Sequence, residues 1–306
     1  MESVIGKKYY GRAFYALIIL ILATCAIFRF LYLPVKDPTL DVSLIKVMAT
    51  ILDGLMTSLI VTIAIASFVL WLTPKVIEKS VMEVLYPKEI SPLLKKATAN
   101  TKSWIYKGAC GRYMRSTTLP EISAAAKQEG IGREINITIL NPNNDNSCAE
   151  YAIYRRSLKS ATSENPWTKN RVKEEALATA LSALRFRHEE PLLRIYLYLI
   201  DHFSAFRLDI SDQYAIVTKE DKEATGLRAD AGTYFYDSYK DDIRLSERQS
   251  KEISYQGPVP VGSNLTEETL KSLILEVNLI SERSLDELNI SNIIKGINSP
   301  EDPYGR

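Results

Sequence analysis

The chain is poor in the residues on which most metal and acid–base chemistry depends. Its 306 residues include three cysteines and two histidines. Cys25, Cys110 and Cys148 lie far apart and form no Cys-x-x-Cys pair, which argues against a disulfide framework and a cysteine zinc site. His188 and His202 leave little room for histidine-dependent catalysis. There is no Walker A, GxGxxG, GxSxG or HExxH motif. No cofactor and no metal are therefore expected. Net charge is also lacking: the formal value is +1, so bulk electrostatics neither favours nor opposes nucleic acid. With Gly 13 and Pro 13, the chain is neither fibrous nor low in complexity.

What is abundant is apolar sequence near the start. Residues 13–28 carry no charge, and only Arg29 interrupts the run to Leu33. Residues 54–73 form a second charge-free stretch. Each approaches the roughly 20 apolar residues that cross about 30 Å of hydrocarbon, so residues 1–73 read as a two-helix transmembrane hairpin. Leu22-Ala23-Thr24-Cys25 resembles a lipoprotein cleavage box, but the apolar run continues past Cys25 and a second span follows. Lys7, Lys8 and Arg12 precede the first span, and Lys75, Lys79, Lys88, Lys95 and Lys96 follow the second. The positive-inside rule then puts both termini in the cytoplasm, as a two-pass protein of the bacterial inner membrane. Arg29 falls at the outer edge, where it either snorkels or lines an oligomeric pore. Leu44, Ile45, Met48, Ala49 and Leu52 recur at helical spacing, so the second helix is expected to begin near Val42. Ser58 and Thr62 give it a small, polar packing face suited to self-association.

Residues 74–100 read as a basic juxtamembrane helix and linker, the helix running from Lys75 to Leu85 and ending at Tyr86-Pro87. From Pro74 to Arg115 there are nine Lys/Arg against three Glu, a balance suited to the anionic face of a bilayer. From Ser116 onward acids exceed bases by about seven.

Residues 101–298 alternate strand and helix patterns, which implies a cytoplasmic α/β domain with a mixed sheet and flanking helices. Strands are expected at 103–109, 134–140, 192–199, 205–210, 214–218 and 233–236. The 205–210 and 214–218 pair should form a hairpin around Ser211-Asp212. Helices are expected at 118–127, 148–158, 167–186, 238–254 and 266–280. Thr118, Pro120 and Glu121 read as a capping box for the first of these. The tail 299–306 reads as disordered.

The order strand, Leu119-Pro120-Glu121 helix, "ITILNPNN", "CAEYAIYRRS", long helix, "FRLDISDQYAIVT" resembles one half of a phospholipase-D-like domain. That family carries His-x-Lys-x4-Asp on a strand. Here Asp212 keeps the Asp position, Arg207 stands at the Lys position, and Ala205 stands at the nucleophile position. The resemblance therefore implies a degenerate, non-enzymatic fold, because Arg stays protonated and Ala offers no nucleophile. An anion pocket can outlive such a loss, and Arg112, Arg115, Arg155, Arg156 and Arg207 are its candidate residues. Solvated helix faces or an ion pair from Arg207 to Asp209 or Asp212 are the alternative. As a whole, the chain resembles two-transmembrane effectors of prokaryotic anti-phage systems, of the retron-associated type. That likeness implies a toxin restrained by a reverse transcriptase with its RNA–DNA product, or by another cytoplasmic sensor, and released to permeabilise the membrane. A membrane-anchored phosphodiesterase or nuclease and a plain membrane tether are the competing readings.

Overall fold

The computed structural model describes residues 8–36, 43–72, 81–161, 166–221 and 223–303. They divide into two units, Met1–Ser80 and Val81–Arg306.

The first unit is helical: α1 (Lys8–Ile27), a π turn (Phe28–Tyr32), α2 (Leu33–Lys36) and α3 (Ser43–Leu72). Two stretches are long and apolar enough to span a membrane, Phe14–Val35 and Leu44–Val69. Their apolar side chains are exposed, among them Leu17, Leu20, Ile60, Ile65 and Phe68. Among the described residues of this unit, Ile18, Leu33 and Ala49 are the buried ones. As anticipated, α3 starts well before the charge-free stretch. The π turn was not anticipated, and it falls at Arg29, the single charge of the first span. Arg29 forms an ion pair with α3. It donates to Asp53 through Nε (2.9 Å) and Nη2 (3.1 Å). Tyr15 and Ser67, 3.4 Å apart, make a further polar contact between α1 and α3.

The second unit is a mixed eight-stranded sheet with flanking helices. Its elements are β1 (Glu83–Leu85), α4 (Pro87–Asn100), β2 (Ser103–Lys107), α5 (Leu119–Glu129), β3 (Arg133–Leu140), α6 (Asp145–Ser157) and α7 (Lys169–Glu189). They continue with β4 (Leu193–Ile200), β5 (Phe206–Ile210), β6 (Tyr214–Lys219), β7 (Gly226–Asp230), α8 (Tyr234–Arg248) and β8 (Lys251–Glu252). Helices α9 (Glu267–Glu276), α10 (Glu282–Leu285) and α11 (Ile290–Asn298) end it. The strand order is β1-β7-β6-β5-β2-β3-β4-β8. β2, β3 and β4 run parallel, and every other pairing is antiparallel.

The main core packs Ile135, Ile137 and Ile139 of β3 against Leu177, Leu181 and Leu184 of α7, with α4, α5, α9 and α11 contributing Leu94, Ile122, Leu270 and Ile293. A separate cluster joins Leu208, Ile210 and Val217 to Tyr236 and Ile243 of α8. Helices on both faces explain why β3 is buried almost throughout. The start of α7 is fixed by Thr168, whose hydroxyl accepts the Arg171 N–H at 3.1 Å.

Several expectations need correction. Residues 83–85, placed in the juxtamembrane helix, form β1 and pair antiparallel with β7. Residues 75–80 of that helix lie outside the described residues. The linker expected to follow it is instead α4, which starts on Pro87 at its first turn and tolerates Pro92 inside. Thr118 does not cap a helix, because it ends a π turn (Met114–Thr118) that runs directly into α5. Glu121 accepts a hydrogen bond from Thr98 instead, at 2.9 Å. Thr233 is the cap of α8, not the start of a strand. That helix stops at Arg248, where β8 begins its short pairing with β4. Strand β7 and helix α11 were not anticipated. Of the expected disordered tail, Glu301 is described and pairs with Lys295 at 3.3 Å, and residues 304–306 lie outside the described residues.

Candidate functional site

The positions matched to the phospholipase-D-like motif do not converge. Arg207 and Asp209 are two apart on β5, so they share one face of the sheet. They form a buried pair, Nε to Oδ2 at 2.6 Å. The Arg207 guanidinium also lies 4.9 Å from the Tyr113 ring centre and 5.5 Å from that of Tyr106. Burial pushes the Asp209 carboxyl above its ordinary value, with Arg207 opposing. Asp212 sits at the far end of β5, where its carboxylate accepts the backbone N–H of Lys102 (2.6 Å) and of Ser103 (3.2 Å). Its own N–H donates to Thr101 Oγ1 at 3.0 Å. Asp212 therefore anchors the entry to β2 and is not an ion-pair partner of Arg207. Ala205 contributes only its carbonyl, to the Tyr154 hydroxyl at 3.3 Å.

A different group of charges meets at the carboxyl ends of β2 and β6. In open α/β sheets, ligands favour the crevice at strand carboxyl ends, where the topology switches direction. β2 is such a point, between parallel β3 and antiparallel β5. The chain leaves β2 through Gly108-Ala109-Cys110-Gly111. Gly111 has φ of +65°, and a Cβ there would stand 2.6 Å from Thr179 Cγ2, so only glycine fits. Helix resumes at Arg112. β6, running the same way as β2, delivers Glu220 to the same end.

Trp167 is the centre of this group. The guanidiniums of Arg171, Arg155 and Arg112 lie 4.5, 4.7 and 5.9 Å from its ring centre. Tyr151 packs edge-on to the same ring at 6.1 Å. Arg156 donates to the Trp167 carbonyl and fixes its backbone. Glu175 pairs with Arg112 at 3.4 Å and with Arg115 at 2.6 Å. Arg115 is buried and also donates to the Glu175 carbonyl (2.9 Å) and Thr179 Oγ1 (3.0 Å), which makes it a structural brace.

Glu220 receives a convergent set of donors. These are the Tyr151 hydroxyl, the Ala109 N–H at 3.5 Å, and Arg155 at 3.5 Å, which also donates to the Glu220 carbonyl. Burial raises the Glu220 pKa to about 7, against the pull of the Ala109 N–H and of Arg112. Arg171 is pushed below its ordinary value by burial, and Arg112 and Arg155 add to the shift while Glu175 opposes it. Cys110 is buried and its pKa is pushed well up, so the thiol is inert.

Of the arginines singled out from sequence, Arg112, Arg115, Arg155 and Arg156 meet here, and Arg207 lies elsewhere. Trp167, Arg171, Glu175 and Glu220 were not anticipated. Arg171 and Glu175 are four apart on α7, a spacing that puts them on one helix face. Among the described residues, no three His, Cys, Asp or Glu side chains are grouped to hold a metal.

A cleft of about 660 Å³ opens at the opposite, amino end of β3 and β4. Two of its arginines, Arg187 and Arg133, are committed to main chain, and Arg194 pairs with Glu134 at 3.9 Å. Arg187 donates to the carbonyls of Ile195 (2.8 Å), Ile253 (2.9 Å) and Tyr255 (2.9 Å). Arg133 donates to those of Thr101 and Ala99.

No family model matches the sequence, and no curated protein matches it. Among solved structures, TrmBL2, an archaeal chromatin protein with a novel mode of DNA binding, shares 10% identity at a TM-score of 0.33. That match covers 68% of this chain and 70% of the other. The phosphatidylserine synthase of Haemophilus influenzae Rd KW20 shares 13% identity at a TM-score of 0.38, covering 65% of this chain and 46% of its own. Both likenesses are distant.

Proposed function

We propose that the chain is a membrane effector of an anti-phage system: a two-pass inner-membrane protein that permeabilises the bilayer and catalyses no reaction. The observation that carries this reading is the helical unit. Its apolar side chains are largely exposed away from the contact between the two helices, Leu20 at 64% and Ile65 at 59%, a surface that lipid would cover. The Lys/Arg bias orients both termini to the cytoplasm. Ala205 supplies no nucleophile, and Arg207 is engaged by Asp209. By its resemblance to retron-associated effectors, the cytoplasmic unit receives restraint from a reverse transcriptase with its RNA–DNA product.

The test is membrane potential in cells producing the chain without a restraining partner, with membrane fractionation as control. Depolarisation on induction, suppressed by co-production of the partner, is expected. Inserted, full-level protein that never depolarises cells would leave a membrane tether in place of the effector.

A further inference from the structure

We propose that the cleft at the amino end of β3 and β4 binds a small monoanionic carboxylate with an apolar body, and that Arg187 receives the carboxylate. The cleft exists because β4 loses its outer neighbour halfway along. β8 pairs with Tyr198 and Leu199, and the Ile253 N–H still reaches the Leu197 carbonyl at 2.9 Å. Beyond that point the Arg187 guanidinium stands between the two segments. Its Nε donates to the Ile195 carbonyl (2.8 Å), and its Nη1 donates to the carbonyls of Ile253 (2.9 Å) and Tyr255 (2.9 Å). A side chain here takes the place of a main-chain ladder, so the segments stay apart and a cleft of about 660 Å³ opens beside it. Small-ligand sites typically measure roughly 300–1,000 Å³.

This brace engages Nε and both N–H groups of Nη1. The N–H groups of Nη2 have no partner among the described residues, and Arg187 lines the cleft. Burial pushes Arg187 below its ordinary value, and Glu252 is the main group opposing the shift, without forming an ion pair. The other charges of the lining sort in the same way. Arg133 pairs with Glu129 at 2.7 Å, and Arg194 with Glu134 at 3.9 Å. Lys102, Arg187 and Glu252 have no ion-pair partner among the described residues, which leaves a single positive charge in excess. A monoanion balances that charge. A dianion would overshoot it and face Glu252 and Glu134 as well. A half-buried cation without a counter-ion is costly to hold, and a bound carboxylate removes the cost through charge-assisted hydrogen bonds. Pro191, Leu192 and the ring of Tyr196 supply apolar lining, which calls for an apolar body behind the carboxylate.

The inference goes beyond the membrane reading, and its failure leaves that reading intact, because depolarisation and ligand binding are measured separately. The experiment uses the full chain in detergent micelles, titrated by calorimetry with 3-phenylpropionate, its neutral amide, and phenyl phosphate, with protein-free micelles subtracted. Saturable binding of the carboxylate is expected, about tenfold or more tighter than the amide. Glu252→Gln removes the opposing charge from an exposed position and should tighten it severalfold. Gly132→Phe should abolish it by filling the cleft, and a Cβ at Gly132 meets only the Leu192 carbonyl, at an ordinary 3.6 Å. Arg187→Met should erase the preference for acid over amide, and the other two variants carry the test if Arg187→Met does not fold. Absence of saturable binding in both the native chain and Glu252→Gln would overturn the proposal. So would equal affinity for acid and amide, tighter binding of phenyl phosphate, or affinity unchanged in Gly132→Phe.

Discussion

Arg29 and Asp53 face each other across the helical hairpin in a two-point ion pair, Nε to Oδ1 at 2.9 Å and Nη2 to Oδ2 at 3.1 Å. Arg29 is the single charge of its span, and Asp53 directly precedes the charge-free half of α3. A π turn lies at Arg29, and such turns occur most often where a helix must re-aim a side chain for function. The pair joins helix to helix at the end remote from Tyr15 and Ser67, so the hairpin is tied by polar contacts at both ends.

Breaking that pair leaves one charge without a partner near hydrocarbon. A lone charge at mid-bilayer costs about 2.5–3.5 kcal/mol on insertion scales, and less toward the interface. Arg29→Ala and Asp53→Ala should each lower the detergent melting temperature. The exchanged double variant, Arg29→Asp with Asp53→Arg, should recover part of the loss. A double variant no better than the singles would show that geometry at the π turn, not charge pairing, is what matters.

The buried pair on β5 makes a contrasting case. Arg207→Ala strands Asp209 in the core and should cost about 3–5 kcal/mol. Replacing both residues with apolar side chains, Arg207→Met and Asp209→Leu, should be close to neutral. Thermal denaturation of the three variants against the native chain decides the matter. If Arg207→Ala keeps native stability, Arg207 is not structural and the motif-derived anion role returns.

Periodicity made the hairpin and most of the sheet legible. The two apolar runs and the inward face of α7 (Val172, Ala176, Leu177, Ala180, Leu181, Leu184) are exposed or buried as their spacing demands, whereas the alternation in Glu134–Leu140 marked a strand whose second half is buried on both faces. Short elements were not legible. Glu83–Leu85 carries no period of its own and becomes a strand only because β7 offers a free edge. Thr118 had the chemistry of a cap, but the helix had already begun upstream. The site was half legible: Arg112, Arg115, Arg155 and Arg156 stood out in the sequence, whereas Trp167, Arg171, Glu175 and Glu220 meet only through the packing of α6, α7 and β6. Glu220 in particular follows an ordinary strand, and nothing local marks it.

Glu220 also gives the fold a pH dependence. The unfolded carboxyl releases its proton near pH 4.5, and the folded one near pH 7. Between these values the native state holds the extra proton, so stability falls as pH rises through the interval and levels off above it. The raised pKa corresponds to on the order of 3 kcal/mol at most. The charged or titratable groups facing Glu220 are Arg112, Arg155, Tyr151, Tyr106 and Cys110, and burial pushes the Tyr106 phenol and the Cys110 thiol well above their ordinary values. Melting temperatures at pH 5 and pH 8 should differ in the native chain and differ less in Glu220→Gln. An equal difference in both would assign the slope to other groups.

Under the proposed effector function, association of chains is the step on which permeabilisation would rest, since two spans cannot enclose a water-filled path. Gly54, Ser58, Thr62 and Ala66 recur every four residues and fall on one face of α3. Ser58 and Thr62 are exposed on the hairpin, and the Thr62 hydroxyl is turned back to the Ser58 carbonyl at 2.8 Å. The Thr62 hydroxyl is therefore satisfied within its own helix. In lipid no hydrophobic force drives helices together, so close approach of small residues supplies the attraction. Ser58→Leu and Thr62→Leu add bulk to this face and leave the span as apolar as before, so insertion should be unchanged. Cross-linking in isolated membranes should show fewer oligomers in both variants, and cell depolarisation should fall in parallel. A Leu replacement on the exposed opposite side, at Ile60, should alter neither. Oligomers that persist at full level in Ser58→Leu and Thr62→Leu would place the contact between chains on another face of the hairpin.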